Sequence, residues 1–282
     1  MGGVLALLNG VPSDAIGMTD RGLMYGDGLF ATMVLSEGRV LNLGLHLDKL
    51  AAGALRLSIP WPGHEVFMAD IDQLASGSSH AGKTVLKLML TRGSGGRGYA
   101  PPVDACVTRI VLQYPFPLYP EYFQSRGVRL RLCSMRLGRN PLLAGIKHLN
   151  RLEQVLARME WSAPDIQEGL LCDTEGLVIE GTMSNVFIVS PAGVLQTPLL
   201  SQCGVSGVQR TCVMQLAAGC AGLAVQESQL SVDDVMAASE VFLTNSVIGL
   251  WPVRQFEDRH WSAPGMVTQR LLNLLQTAER DT

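Results

Sequence analysis

Lys147 closes a short apolar run that contains small residues, Leu143-Ala144-Gly145-Ile146, and an amphipathic segment follows it. Taking an ammonium group out of water disfavours its charged form, so a lysine in such a setting can become a nucleophilic amine near neutral pH. A Schiff-base lysine requires this property. Most lysines are solvated surface charges, so the assignment depends on what the rest of the chain supplies.

Several motifs supply partners. Glu180 ends a strand-like run in Ile179-Glu180-Gly181-Thr182-Met183-Ser184-Asn185. It is either a solvated turn carboxylate or one held against a cationic ring nitrogen, and Asn185 is suited to stabilise the turn or the adjoining loop. Gly204-Val205-Ser206-Gly207-Val208-Gln209-Arg210 runs straight into a helical pattern. Free amides and the positive end of the helix dipole meet there, making an anion site; an ordinary glycine-rich helix entry is the plainer reading. Thr244-Asn245-Ser246 ends another strand with three small polar side chains suited to phosphate or carboxylate, or to a turn.

Gly93-Ser94-Gly95-Gly96-Arg97-Gly98 contains G-x-G-x-x-G after a strand. A dinucleotide site needs a helix to begin there, and Tyr99-Ala100-Pro101-Pro102 forbids one. The better functional reading is a mobile loop carrying Arg97 toward an anionic substrate, since guanidinium matches carboxylate bidentately. Asp20-Arg21-Gly22-Leu23-Met24-Tyr25-Gly26-Asp27-Gly28-Leu29-Phe30 is a turn-rich block with charged and aromatic residues, a composition common in functional loops.

The elements that must position these residues follow from periodicity. Strands are expected at 4–8, 29–35, 84–91, 107–113, 128–133, 169–173, 177–180, 185–190, 194–196 and 240–244. Helices are expected at 43–57, 64–75, 149–160, 208–218, 232–238 and 264–278. The first has Leu43, Leu47, Leu50, Ala54 and Leu57 on one face. The third should turn Leu149, Leu152, Val155, Leu156 and Met159 inward. Ser231 should cap the fifth, with Asp233 and Asp234 in its first turn. The prolines of 114–120 predict a linker between an N-terminal lobe, 1–113, and a C-terminal lobe, 121–282. Strands cluster without a strict βαβ rhythm, so the fold class is α+β in two lobes.

Composition narrows the function. The chain has 282 residues, 47% hydrophobic and 17% charged, which allows a sizeable core. Its net charge of −3 gives no basic surplus for nucleic acid, and no lysine-rich block suits a membrane surface. The apolar start, Met1 to Gly10, is short and lacks a basic beginning, so it reads as a strand and an Asn-Gly turn rather than a signal peptide. Gly2 is not a myristoylation site, because position 6 is Ala. The six cysteines are scattered without a Cys-x-x-Cys pair or a zinc pattern, so a reducing, cytoplasmic setting is expected. Cys106, Cys133 and Cys172 lie in apolar runs and are expected to be buried.

In this order along the chain, the block at 20–28, the His46 helix, Lys147, Glu180 with Asn185, the Gly207-Val208 helix entry and Thr244-Asn245 resemble the fold-type IV pyridoxal-phosphate enzymes. These include branched-chain and D-amino-acid aminotransferases and aminodeoxychorismate lyases. The runs Thr91-Arg92-Gly93-Ser94-Gly95-Gly96-Arg97-Gly98-Tyr99 and 136–154 are most similar to the lyases. The resemblance implies a small N-terminal α/β lobe and a larger barrel-like C-terminal lobe, with the cofactor between them, in a homodimer. It implies that Lys147 forms the Schiff base with pyridoxal 5'-phosphate and that Glu180 faces the pyridine nitrogen. Val208, Gln209 and Thr244 would bind the phosphate. The family usually has an arginine three residues after the helix histidine; here that position is Lys49, which keeps the charge and loses the bidentate fork. Substrate contacts fall to Arg97 and Asn245, with Tyr25 and Thr32 lining the pocket. The implied reaction converts 4-amino-4-deoxychorismate to 4-aminobenzoate and pyruvate for folate synthesis. A D-amino-acid or branched-chain aminotransferase, or a cofactor-binding protein without turnover, are the alternatives.

Overall fold

A computed structural model describes residues 5–76, 82–219 and 223–281. Residues 1–4, which include the first residue of the first expected strand, and Cys220 lie outside that range. The chain divides into two compact units, Met1–Pro117 with Ile146–Asn150, and Leu118–Gly145 with Arg151–Thr282. Residues 146–150, including Lys147, therefore belong with the first unit although they follow residue 121.

The first unit contains β1 (Leu5–Leu8), β2 (Val11–Pro12), α1 (Arg21–Tyr25), β3 (Gly28–Ser36), β4 (Arg39–Val40), α2 (Leu43–Arg56), α3 (His64–Ser76), β5 (Thr84–Thr91) and β6 (Thr108–Pro115). The sheet order is β2-β1-β6-β5-β3-β4, antiparallel throughout. Strand alternation sends Leu29, Ala31, Met33 and Leu35 of β3 and Leu86, Leu88 and Leu90 of β5 to one face. There they meet Leu47, Leu50 and Ala54 of α2 and Phe67, Ile71 and Leu74 of α3. Each fully buried leucine is worth roughly 1.5–3 kcal/mol. Phe30 and Thr32 take the opposite face. Strand β6 runs on through Tyr114 to Pro115, inside the expected linker. Pro115 is its last residue, where a missing N–H matters least.

The second unit contains α4 (Tyr122–Ser125), β7 (Val128–Leu137), α5 (Leu152–Arg158), β8 (Glu168–Asp173), β9 (Val178–Gly181), β10 (Asn185–Val189) and β11 (Leu195–Pro198). It continues with α6 (Val208–Ala218), β12 (Val225–Ser228), α7 (Val232–Ala237), β13 (Glu240–Asn245), β14 (Gly249–Phe256), β15 (Arg259–His260) and α8 (Met266–Asp281). The order is β12-β11-β10-β13-β14-β7-β8-β9, with β15 on β14. Terminal β9 also lies against β10 and β11, so this sheet curls back on itself. Helices α6 and α8 cover Phe187 and Phe242, whose rings stack at 5.0 Å. Ser231 caps α7 in a full capping box with Asp234.

Three expectations fail here. Helix α5 starts at Leu152 rather than 149, because His148 forms a bridge with Leu29 and holds that stretch extended. The residues expected inward from this helix are exposed: Leu152 by 75%, Val155 and Leu156 by 51% and Met159 by 74%. Ala157 is the buried residue, as α5 packs on β7 and β8 by its other side. Cys106 is exposed, because β6 starts two residues after it, whereas Cys133 and Cys172 are buried as expected. Among the described residues no helix is long and apolar enough to cross a membrane.

Candidate active site

In the first unit, Lys147 lies on an extended segment zipped to the start of β3. Phe30 N donates to Lys147 O at 3.0 Å, and Leu149 N donates to Gly28 O at 3.0 Å. The half-buried side chain places Nζ 4.5 Å from the centre of the Phe30 ring, a cation–π distance. Thr32, two residues along β3, shares that face. Below the strand, α2 carries His46 and Lys49 three residues apart. His46 is buried and its Nε2 has no hydrogen-bond partner. Burial, reinforced by the charges of Lys147 and Lys49, lowers its pKa to about 4, so the imidazole is neutral.

A second constellation of this unit ties the block at 20–30 to the glycine-rich loop. Asp20 caps α1, and Gly26 ends it with φ 66°, a left-handed position suited to glycine. The buried Arg21 donates from Nε to Asp27 Oδ2 at 2.8 Å, from Nη1 to the carbonyls of Gly98 and Ala100, and from Nη2 to that of Tyr99. Arg92 binds both Asp27 oxygens, at 2.8 and 3.0 Å, and donates to Leu57 O and Ser58 O at the end of α2. Burial would raise the Asp27 carboxyl, but the hydrogen bonds and charges of Arg92 and Arg21 prevail and hold it below its ordinary range. Tyr25 accepts Gly98 N–H on its hydroxyl and meets Tyr99 edge to face. The expected mobile loop is therefore braced along its backbone, while the Arg97 side chain stands in solvent.

In the second unit, Glu180 is buried on β9. Its Oε2 accepts Val205 N–H at 2.7 Å, and Oε1 accepts from Gln154 Nε2 at 3.3 Å. Gly204, with φ 86°, makes the close approach possible: a Cβ there would lie 2.6 Å from Ile179 and 2.8 Å from Leu200. Ser206 N donates to Gly145 O, and Gly207 N to Asn185 Oδ1, while Asn185 Nδ2 donates to Val205 O. The loop amides of residues 205–207 are each committed in this way. Helix α6 then begins with no capping side chain over the amides of its first turn, Val208 and Gln209. Thr244 is the cross-strand partner of Asn185, so their side chains share a face. Its Oγ1 is buried without a hydrogen-bond partner.

Asn245 occupies a different role from the one expected. Its Oδ1 accepts from Val247 N and Ile248 N, and its Nδ2 donates to Met183 O, so it shapes a turn. One amide N–H of its side chain remains for a substrate group.

A family model of amino-transferase class IV matches residues 28–256. The chain belongs to this family. Among class IV aminotransferases, the aminodeoxychorismate lyase of Vibrio harveyi is 34% identical over 96% of this chain and 99% of its own. The crystal structure of 4-amino-4-deoxychorismate lyase from Pseudomonas aeruginosa is 41% identical, with a TM-score of 0.91 over 97% of this chain and 98% of that one. The D-alanine aminotransferase of Bacillus licheniformis is 29% identical over 94% of this chain and 92% of its own. The fold is accordingly that of fold-type IV enzymes, as the resemblance implied, and its mix of helices and sheets agrees with the α+β reading.

The class IV motif residues singled out in the sequence thus fall into two local groups. Lys147, Lys49, Thr32, Tyr25 and Arg97 belong to the first unit, and Glu180, Asn185, Val208, Gln209, Thr244 and Asn245 to the second. Sequence reasoning missed the Arg21–Asp27–Arg92 cluster and the Gln154–Glu180 contact. Opposite charges at 20, 21 and 27 hinted at the cluster; Gln154, in a helix read as an apolar face, gave no signal.

Proposed function

We propose that this protein cleaves 4-amino-4-deoxychorismate to 4-aminobenzoate and pyruvate, with pyridoxal 5'-phosphate as cofactor. The similarity across almost the whole chain to two lyases of this kind carries the reading. The residues fit the cofactor. In the second unit, an uncapped helix start and a buried, partnerless Thr244 hydroxyl suit a phosphate group, and the resemblance adds Lys49 as its cation. When bound, pyridoxal phosphate supplies an electron sink for the carbon that bears the substrate amine.

The chain's own residues do the rest. Lys147 Nζ would hold the cofactor and would take the proton from that carbon, general-base work worth roughly 10²- to 10⁴-fold. Its backbone is pinned to β3 through its own carbonyl and the Leu149 amide, which restricts where Nζ can reach. Glu180 would keep the ring nitrogen protonated; the Val205 amide and Gln154 hold the carboxylate in place. Asn185 fixes the loop from which α6 presents Val208 and Gln209. Arg97 takes a substrate carboxylate, Tyr25 and Thr32 line the pocket, and Asn245 shapes the turn after β13. The enolpyruvyl ether bond would then break, the departing enolate would take up the proton that Lys147 removed and leave as pyruvate, and aromatisation would drive release of 4-aminobenzoate.

The exposed apolar positions 152, 155, 156 and 159 make one side of α5, a surface suited to a homodimer. Sedimentation of the purified chain tests this. The unpaired thiols Cys106, Cys133 and Cys172 suit a cytoplasmic enzyme.

Mixing the purified protein with fresh 4-amino-4-deoxychorismate decides the function. Equimolar 4-aminobenzoate and pyruvate, formed faster than without protein, support it. Amino-group exchange between D-alanine and keto acids, with no 4-aminobenzoate, would transfer the assignment to an aminotransferase, the reading that the Bacillus relative favours. Bound cofactor with neither activity would mark a binding protein.

A further inference from the structure

The glycine-rich loop is wrapped around one side chain. Arg21 is 4% exposed, and its guanidinium reaches three consecutive carbonyls, Gly98, Tyr99 and Ala100, while its Nε is locked by Asp27. Its backbone N donates to Gly93 O at 2.9 Å, and Asp20 bridges Ser94. Gly95 packs on its stem so closely that a Cβ there would lie 3.0 Å from Arg21 Cδ. Gly98 N–H is taken by Tyr25, and Arg21 also lies 4.9 Å over the Tyr25 ring. Both ends of the loop, 93–95 and 98–100, are thus bound to Arg21 and its neighbours. The crest between them, Gly96 and Arg97, stands in solvent, as does the side chain of Tyr99, which is 85% exposed. A loop held by a buried cation through its carbonyls, with a second cation standing free at its crest, is built to present that crest.

We infer that Arg21 is a positioning residue for substrate recognition, bracing the loop so that Arg97 is held ready for a substrate carboxylate. The inference rests on the reading of Arg97 as a carboxylate ligand. Arg21 itself is buried, and four of its five N–H donors are spent on Asp27 and the loop carbonyls. Its effect must pass through the geometry of the loop. Pre-ordering matters because a displacement of about 1 Å in a positioning group can cost roughly 10²-fold.

A double-mutant cycle on the holoenzyme tests this, using Arg21→Met, Arg97→Gln and the pair, with kcat and KM measured for 4-amino-4-deoxychorismate. Arg21→Met should raise KM roughly 10- to 100-fold, with kcat changed less than about threefold and the cofactor absorbance retained. In the Arg97→Gln background it should add little. Arg21→Lys, which keeps the charge but not the fork, should recover only part of the loss. Hydrogen exchange of residues 93–100 in the unaltered protein gives an independent readout, with the Gly98 amide expected to be protected, and it serves even where Arg21→Met does not fold. Additive KM effects, a fall in kcat at constant KM, no change of KM in Arg97→Gln, or an unprotected Gly98 amide would each overturn the inference. If the unaltered protein forms no 4-aminobenzoate, the proposed function fails instead, while exchange still reads the bracing.

Discussion

Replacing Thr244 by valine keeps a β-branched residue in β13 and removes one oxygen. That oxygen, Oγ1, is buried and lacks a partner. Leaving a buried hydroxyl unsatisfied costs about 1–3 kcal/mol. Thr244→Val should therefore stabilise the cofactor-free protein, by about 1 kcal/mol if cavity water relieves part of the cost. For a chain of this size that is roughly 2–4 °C in melting temperature. With pyridoxal phosphate the sign reverses. A hydrogen bond to a charged group contributes about 1.5–3 kcal/mol, so the variant should bind the cofactor roughly 10- to 150-fold more weakly. The assay is a pair of melting curves, without and with saturating cofactor, plus a titration followed by absorbance. The two proteins should exchange rank as cofactor is added. A variant that melts lower without cofactor, or binds it within about twofold of the unaltered protein, would refute the argument that this hydroxyl awaits a phosphate.

Lys147→Ala should lose borohydride-dependent fixation of the cofactor to the protein and nearly all turnover; a fixed cofactor found by peptide mass spectrometry in the variant would overturn the role of Lys147. Glu180→Gln should retain cofactor while kcat falls on the order of 10²- to 10³-fold, the size of losing one preorganised electrostatic contact; unchanged kinetics would place another group at the ring nitrogen. Asp27, depressed by its two arginines, adds stability that is full above the unfolded carboxyl value of about 4 and drains away as pH falls through the folded one. Asp27→Asn should cost about 3 kcal/mol at pH 7 and flatten the acid limb below pH ~4 in urea unfolding; parallel acid limbs would refute the assignment.

The alternating strands and the long amphipathic helices were legible because burial there follows local period. Strand β3 alternates between the core and the Phe30–Thr32 face, and α2 places Leu47, Leu50 and Ala54 where the pattern does. Strand β14 lies outside the expected strands, and it carries Pro252, a residue disfavoured in a central strand. Its pairing with β7 begins only at Val253, so Pro252 lies just before the ladder on that side. Helix α5 misled for the opposite reason: its apolar residues keep a helical period but face away from their own unit. Periodicity reports that a face is apolar, not what covers it. The site residues were legible as types at spacings, but Asn245 shows the limit. Its neighbours in sequence suggested ligand chemistry, and the fold spends its oxygen on the turn to residues 247 and 248.

The spacing of Glu180 and Asn185 has its own physical cause, which lies in neither residue. Between them, residues 181–184 turn from β9 to β10 around the buried Glu168. Its carboxylate accepts from Gly169 N, Thr182 N, the Thr182 hydroxyl, Met183 N and Ser184 Oγ. Burial pushes the Glu168 carboxyl up, and these donors pull the other way. A buried carboxylate is expensive unless its lone pairs are filled, so the donors must converge on it, and that convergence permits one turn geometry. The strand that carries Glu180 and the strand that carries Asn185 are thereby set at a fixed stagger. One side chain then takes the Val205 amide while the other takes that of Gly207. The same loop thus receives both contacts, and α6 starts where they leave it. A residue with no contact to the proposed cofactor therefore decides where the helix amides point.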